Sequence, residues 1–337
     1  MRKFKNILVT GGLGFIGINF CEYLLKNYDL KIINIDKKTY ASNNSAIHHY
    51  DKKYKLYKID IADKKKVNDL FLRYNFDAVI HFAAETHVDN SIKNSEKFIK
   101  TNIIGTHNLL EASLKFHKIK NKKNFVFLHI STDEVFGHLK KNDKSFTEKT
   151  AYQPRNPYSA TKASSDHLVR SFYSTYKFPA MVVNCCNNFG PFQNKEKLIP
   201  KTIHNIIKKK KIPIYGKGKQ IREWIFVEDF VNAILKVLQK GKVGESYNIG
   251  SGKEFENIHV VNLICEIIKE KKILEYDPKK LIAFVKDRSG HDFRYSINSS
   301  KVKKELNWVC KTSFKKGIEK TIEYYLHEES SIKDKKK

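Results

Sequence analysis

Five side chains near the middle of the chain have the types and spacing for acid–base chemistry. Thr132-Asp133-Glu134 ends the run Phe125-Val126-Phe127-Leu128-His129-Ile130, and Tyr158 and Lys162 follow within Asn156-Pro157-Tyr158-Ser159-Ala160-Thr161-Lys162. A run of Val, Phe and Ile that ends in polar residues predicts a buried strand delivering its C-terminal end to a crevice. Two adjacent carboxyl groups there resist ionising together, so one keeps its proton. Water elimination needs such a pair: one group takes a proton from carbon while the other protonates a departing hydroxyl. A solvated turn explains an isolated Asp-Glu pair equally well. Tyr158 and Lys162 reverse that judgement, because residues four apart share a helix face. The ammonium is expected to favour the phenolate and lower the Tyr158 pKa, which makes the phenol a base for an alcohol proton.

Such groups need a scaffold, and the first half of the chain supplies one. Ile7-Leu8-Val9, Lys31 to Ile35, Leu56-Tyr57-Lys58-Ile59, Ala78-Val79-Ile80 and Phe125 to Ile130 read as strands, with helical apolar periods between several of them. That alternation predicts βαβ units and a parallel sheet. A further strand, Ala180 to Val183, precedes a break at Asn187-Asn188-Phe189-Gly190-Pro191, and helices are predicted near Leu198 to Lys209, Val227 to Leu238 and Ile258 to Lys269. The fold class is therefore α/β: a Rossmann-type doubly wound parallel sheet with a smaller α/β C-terminal lobe. The expected boundaries are 1–186 for the sheet domain, with a return segment near 223–250, 187–330 for the substrate lobe, and a frayed, charged tail at 331–337.

The first strand runs into Thr10-Gly11-Gly12-Leu13-Gly14-Phe15-Ile16-Gly17. Glycines at this spacing permit a tight turn and let a pyrophosphate approach the backbone at a helix N-terminus. The pattern is weak alone. Its context is complete here, because a strand precedes it, a helix follows, and Asp36 ends the next strand about 20 residues on. Asp36 suits ribose hydroxyls and so favours NAD over NADP, although Lys37 and Lys38 beside it could receive a 2′-phosphate. Asp60-Ile61 and Phe82-Ala83-Ala84-Glu85-Thr86 follow the third and fourth strands and are expected at the same sheet edge. A Tyr158 base beside bound nicotinamide would then let hydride leave an alcohol carbon.

Composition bounds the alternatives. A chain of 337 residues, 41% of them hydrophobic, can bury a full core. The net charge of +28 suggests nucleic acid. The lysines are however scattered along the chain, as at Lys64-Lys65-Lys66 and Lys208 to Lys211, without any zinc-finger or RNA-binding signature, so they read as a solvated surface. Five cysteines without C-x-x-C spacing fit reduced thiols, and no apolar run reaches membrane-spanning length. A soluble cytoplasmic protein is expected, with no metal, specific nucleic-acid or membrane partner.

These motifs resemble the extended short-chain dehydrogenase/reductases, and within them the nucleoside-diphosphate-glucose 4,6-dehydratases of the dTDP-glucose type. The resemblance runs from Val9-Thr10-Gly11-Gly12 to about Tyr325. It includes Glu85-Thr86-His87-Val88-Asp89, Glu196-Lys197-Leu198-Ile199-Pro200, Tyr215-Gly216-Lys217-Gly218, Ile221-Arg222-Glu223-Trp224 and Asp287-Arg288-Ser289-Gly290-His291-Asp292. Asp133-Glu134 decides within the superfamily, since related epimerases usually carry small or hydroxyl residues there and related decarboxylases resemble Thr-Ser-Glu. The resemblance implies C4 oxidation by Tyr158 with NAD, C5/C6 water elimination by Glu134 and Asp133, and return of hydride to C6. It implies that Thr132 binds the C4 oxygen and that Lys162 holds the nicotinamide ribose. Further cofactor contacts are implied at Phe15, Ile16, Lys37, Thr39, Thr101, Ser131 and Asn188. Substrate contacts are implied at Thr86, His87, Asn187, Lys197, Leu198, Pro213, Tyr215, Arg222, Asn257, Arg288 and His291. Lys197, Arg222 and Arg288 suit a diphosphate, which needs cationic and preferably forked partners.

Some positions depart from the family pattern. Asn184 and Phe293 stand where Arg is usual, Ser289 where Pro is, and Phe136 and Phe189 where Tyr is. A UDP-glucose 4,6-dehydratase, or a nucleotide-sugar epimerase or decarboxylase, is the alternative reading. The resemblance also implies a homodimer. The helices around Asn102 to Phe116 and Ala163 to Tyr176 have apolar faces for it, unless the sheet covers them.

Overall fold

A computed structural model describes residues 1–43, 52–271, 273–288 and 290–334. Ser289 lies outside the described residues, as does the end of the predicted tail. In chain order the first part contains β1 (Asn6–Thr10), α1 (Phe15–Asn27), β2 (Lys31–Asp36), β3 (Tyr54–Lys58), α2 (Lys64–Arg73), β4 (Ala78–His81), α3 (Val88–Lys93) and α4 (Glu96–Phe98). A wider π-helical stretch, Ile99–Gly105, leads into α5 (Thr106–Lys120), then β5 (Val126–Thr132), a 3₁₀ turn (Asp133–Phe136), α6 (Pro157–Tyr176) and β6 (Ala180–Cys185). The remainder comprises β7 (Asn187–Phe189), α7 (Leu198–Ile207), β8 (Ile212–Tyr215), β9 (Ile221–Phe226), α8 (Val227–Lys240), β10 (Ser246–Ile249), β11 (Glu254–Glu256), α9 (Asn257–Glu270), β12 (Ile282–Val285), α10 (Ser300–Leu306) and α11 (Phe314–Asp334).

Seven parallel strands form the central sheet in the order β10-β6-β5-β4-β1-β2-β3. The chain winds outward from β1 through β2 and β3, then restarts at β4 on the other side. The reversal between β1 and β4 opens a crevice at the C-terminal strand ends, where doubly wound sheets bind ligands. β4, β5 and β6 are buried at every residue, as expected of parallel strands covered on both faces. One face packs on α1 and α8 through residues such as Phe20, Leu24, Phe230 and Ile234. The other packs on α2, α5 and α6 through Val67, Leu109, Phe116 and Val169. Local signals fix the helix starts: Asp63 accepts from Lys66 N ahead of α2, and Asn156 and Ser159 form a reciprocal cap ahead of α6, with Pro157 in the first turn.

The second lobe has a three-stranded sheet, β11-β9-β7, and a parallel pair, β12-β8. Its core joins α7, α9 and α11 through Ile203, Trp224, Ile264 and Ile318. The chain rejoins the main sheet at α8 and β10. It does so a second time where Tyr295, Ile297, Val302, Leu306 and Trp308 enter the first core, so the residues after 187 are not one continuous lobe.

Two expectations need correction or qualification. The tail from 331 is not frayed at its start, because α11 continues through Asp334. The turn before it is anchored by Glu328 to Lys195 at 2.8 Å and by Glu329 to Lys208 at 2.6 Å. The apolar faces of α5 and α6 are largely covered by the sheet, with Leu109, Leu110, Val169 and Phe172 buried; Ile99, Ile104 and Tyr176 nearby stay exposed.

Phe230 has no exposed surface at the α8–sheet contact. Phe230→Ala is expected to cost about 3–5 kcal/mol in urea unfolding. Leu72→Ala, at an exposed position, should stay within about 0.5 kcal/mol of the parent.

Candidate active site

The crevice has a dinucleotide end built from close backbone approaches. Gly11 has φ +71°, and a Cβ there would lie 2.6 Å from Ala83 N; one on Gly17 would lie 2.4 Å from Gly11 O. Only glycine leaves this groove open. Gly14 caps α1 without any side-chain bond, and Phe15 and Ile16 of the first turn line the crevice, which leaves helix N–H groups for an anion. Asp36 closes β2, where its carboxylate accepts from Leu13 N at 3.1 Å, Lys38 N at 2.8 Å and Ser42 Oγ at 3.1 Å. Lys37 is not a free cation for a 2′-phosphate. Its ammonium pairs with Glu85 at 2.6 Å and donates to Thr101 at 3.1 Å. Thr39, Asp60, Ile61, Phe82, Ala83, Ala84, Ser131 and Asn188 line the same cleft.

At the other end, β5 delivers Thr132, Asp133 and Glu134 into this cleft beside Tyr158 and Lys162. Asp133 is buried, and burial first, then Glu134 and Glu223, push its pKa well above the ordinary carboxylate range. Its Oδ2 has no hydrogen-bond partner, while Oδ1 accepts from Thr132 Oγ1 at 3.2 Å. An orphaned buried carboxyl oxygen that holds a proton is an acid waiting for an acceptor. Glu134 is half-buried and accepts from Asn156 Nδ2 at 3.3 Å.

Tyr158 behaves differently from expectation. Its phenol pKa is raised, not lowered, by burial first and then by Glu134 and Cys185, against a hydrogen bond with Thr132. The spacing does put Lys162 on the same helix, but the ammonium is turned into the sheet: Nζ donates to Ile130 O at 2.8 Å and lies 3.3 Å from His129 Nε2. Burial also holds Lys162 down to about 8.

The residues anticipated for substrate fall into two groups. Thr86, Asn187 and Lys197 line the cleft with the catalytic side chains, and Lys197 donates to Thr86 O at 3.1 Å. His87 sits beside them, 3.6 Å from Glu196. Tyr215, Arg288 and His291 cluster outside that wall: Asp89 lies 3.2 Å from the Tyr215 hydroxyl and 3.5 Å from Arg288, and the Tyr215 and His291 rings are 6.0 Å apart. Arg222 is buried, its guanidinium over the Tyr295 ring and donating to Ile221 O and Asp292 O. Leu198, Pro213 and Asn257 begin α7, lie in β8 and begin α9; none of them lines the cleft with the catalytic group.

The sequence reading missed Tyr40, Ser42, Cys185, Gln193 and Glu196 on the cleft wall. Glu196 stood in a motif already singled out. Tyr40 follows Asp36 in a loop without any pattern, and no signal pointed to it. Among the described residues no cluster of three His, Cys, Asp or Glu could hold a metal, and no helix is long and apolar enough to cross a membrane.

Residues 8–321 match the family described as GDP-mannose 4,6 dehydratase. The chain belongs to that family. A dTDP-glucose 4,6-dehydratase of Haemophilus influenzae is 46% identical, over 97% of this chain and 99% of the relative. The dTDP-glucose 4,6-dehydratase of Bacillus anthracis, solved in complex with NAD, is 39% identical with a TM-score of 0.84, covering 97% of this chain and 98% of that one. The DesIV dTDP-glucose 4,6-dehydratase of Streptomyces venezuelae, solved with NAD and a TDP ligand, is 34% identical with a TM-score of 0.87, covering 96% and 97%. Family membership accounts for the Rossmann sheet and for its dinucleotide crevice.

Asp36→Ala is expected to weaken NAD binding to the stripped protein in calorimetric titration, with NADP gaining relative to NAD. Unchanged affinity for both would mean that Asp36 serves only its bonds to Leu13 N, Lys38 N and Ser42 Oγ.

Proposed function

We propose that the protein converts dTDP-glucose into dTDP-4-keto-6-deoxyglucose and water, with NAD kept through the turnover, as a hydro-lyase of deoxysugar biosynthesis. The observation that carries this reading is a buried, proton-retaining Asp133 beside Glu134, in one cleft with Tyr158 and the glycine groove. Relatives at 46% identity bear the dTDP-glucose 4,6-dehydratase name, which supports the thymidine substrate.

Bound NAD supplies a reversible hydride acceptor and, when oxidised, a positive charge at its nicotinamide end. This chain's residues handle the protons. Tyr158 takes the C4 hydroxyl proton while the C4 hydrogen departs as hydride. The raised Tyr158 pKa means that phenolate forms only with positive charge nearby, so the base is idle until the cleft is loaded. Thr132 holds the C4 oxygen. The resulting ketone acidifies C5, Glu134 removes that proton, and Asp133 hands its own to the departing C6 hydroxyl. Hydride then returns to C6 and a proton to C5, so no cofactor is consumed.

For the rest of the substrate we propose that Lys197 and Arg288 meet the diphosphate, with Arg222 adding buried positive charge. Arg288 then exchanges its contact with Asp89 for phosphate oxygens, which a guanidinium can meet with two parallel bonds. We further propose a cytoplasmic homodimer. Free cysteines at all five positions support the compartment, and exposed Ile99 and Ile104 beside α5 support the interface.

Asp133→Asn and Glu134→Gln should leave the first oxidation intact, so bound NADH and a 4-keto-glucose species accumulate. Dehydration should slow by roughly 10²–10⁴-fold, as is typical for loss of a general acid or base. Deuterium at C5 should still exchange with solvent in the Asp133 variant and far less in the Glu134 variant. Tyr158→Phe should abolish formation of bound NADH. Mass spectrometry for loss of water from dTDP-glucose tests the whole reading; near-normal dehydration in both carboxyl variants would sink it.

A further inference from the structure

Behind the cleft lies a buried charged layer that the proton steps above do not use. Asp166 follows Lys162 by one turn of α6 and has no exposed surface. Its Oδ2 accepts from Ser131 Oγ at 2.9 Å, Tyr152 OH at 2.7 Å and Asn184 Nδ2 at 3.1 Å. Its Oδ1 lies 3.2 Å from His129 Nε2. The same imidazole nitrogen lies 3.3 Å from Lys162 Nζ. One neutral ring nitrogen thus stands between a buried ammonium and a buried carboxylate.

The other groups around Lys162 carry no balancing charge. His81 on β4 is neutral with its proton on Nε2: Thr106 gives its own hydrogen to Asn102 O at 2.6 Å, so it accepts from His81 Nε2 at 2.9 Å, and Nδ1 then accepts from Thr10 at 2.7 Å. Burial pushes the His129 pKa down to about 4, so that ring on β5 is neutral as well. Burial pushes the Cys185 thiol on β6 up, which keeps it protonated, and Tyr158 is likewise raised. Arg170, further along α6, donates to Tyr152 OH at 2.7 Å and to Ser246 Oγ at 3.2 Å. Asp166 is left as the anion, its pKa held below the ordinary value by His129, Lys162 and Tyr152 against its burial.

The His129 ring faces both neighbours through one nitrogen. A proton on Nδ1 leaves Nε2 to accept from the Lys162 ammonium, while Asp166 Oδ1, 3.2 Å from the same nitrogen, makes no hydrogen bond of its own and acts through its charge. Nδ1 likewise has no partner, so no competing bond opposes that tautomer.

We propose that Asp166 is a positioning residue: with His129 between them, its buried carboxylate keeps Lys162 an ammonium ion at the wall of the cofactor cleft. A lone ammonium buried there would shed its proton. With the carboxylate one helical turn away it keeps the proton, available to ribose hydroxyls and to the field at Tyr158. The proposal rests on the dehydratase reading only for what the charge does to the rate.

The sign follows from the geometry. A function that needs charged Lys162 is present below its pKa of about 8 and fades as pH rises through it. Asp166 holds that value up, so removing its charge moves the break to lower pH. The NAD dissociation constant should be measured against pH by displacement from the purified protein, alongside single-turnover formation of bound NADH from dTDP-glucose. In Asp166→Asn both breaks should move down by roughly 1–3 pH units, the usual effect of an opposite charge at this range. Asp166→Glu should restore the break near its original place, and Lys162→Arg should remove it. An Asp166→Asn protein that is merely less stable or slower, with both breaks unmoved, overturns the proposal. So does a Lys162→Arg protein that keeps the break, and that arm stands even where Asp166→Asn does not fold. A shifted break in NAD binding without any reaction on dTDP-glucose would overturn the dehydratase reading and leave this one intact.

Discussion

The structure depends on the cost of burying ionisable groups at the C-terminal edge of β5. Asp133, Tyr158, Lys162, His129 and Asp166 are each nearly or fully inaccessible there, and a parallel sheet covered on both faces gives them little water. Groups without a partner for their charge respond as desolvation dictates. The Asp133 carboxyl keeps its proton, the phenol resists losing one, and the imidazole stays neutral. The only groups that remain charged are those with a partner for the charge. That one constraint supplies both the retained proton of Asp133 and the base-in-waiting at Tyr158.

The sheet and the glycine groove were legible because they are written in local pattern. Apolar runs such as Ile7-Leu8-Val9 and Ala78-Val79-Ile80 became strands within a residue or two of the reading. The convergence of Asp36, Asp60, Phe82 and Thr132 on one edge followed from parallel pairing alone. What escaped was set by partners distant in sequence. Lys37 looked like a rival phosphate ligand until Glu85, 48 residues on, appeared against its ammonium. The four-residue spacing of Tyr158 and Lys162 gave a shared helix, but not the turn of Nζ towards Ile130 O. Nor can spacing weigh burial against charge, and at Tyr158 burial wins.

The substrate lobe was the least legible part, for a related reason. Its two candidate phosphate-binding arginines sit in a short strand and a loop and have internal partners: Arg288 meets Asp89, which also accepts from the Tyr215 hydroxyl, while Arg222 donates to backbone carbonyls. These contacts spare the guanidinium groups a bare burial. They also tie α3 of the sheet domain to β8 and the segment after β12, so the mouth of the cleft is held by bonds that an incoming diphosphate can replace in kind.

Asn184 brings these threads together. On sequence it is a departure from the family pattern, standing where Arg is usual. In the fold its amide donates to Asp166 Oδ2 at 3.1 Å and to Thr132 O at 3.2 Å, in a position without solvent. An Arg there would set a permanent cation against Asp166 and spend that carboxylate on itself. A neutral amide satisfies the oxygen without cancelling its charge, and so leaves the field of Asp166 directed at His129 and Lys162. The same side chain fixes the end of β5 that carries Thr132 and Asp133. In this chain the substitution therefore couples the buried anion behind the cofactor cleft to the strand end that holds the elimination pair.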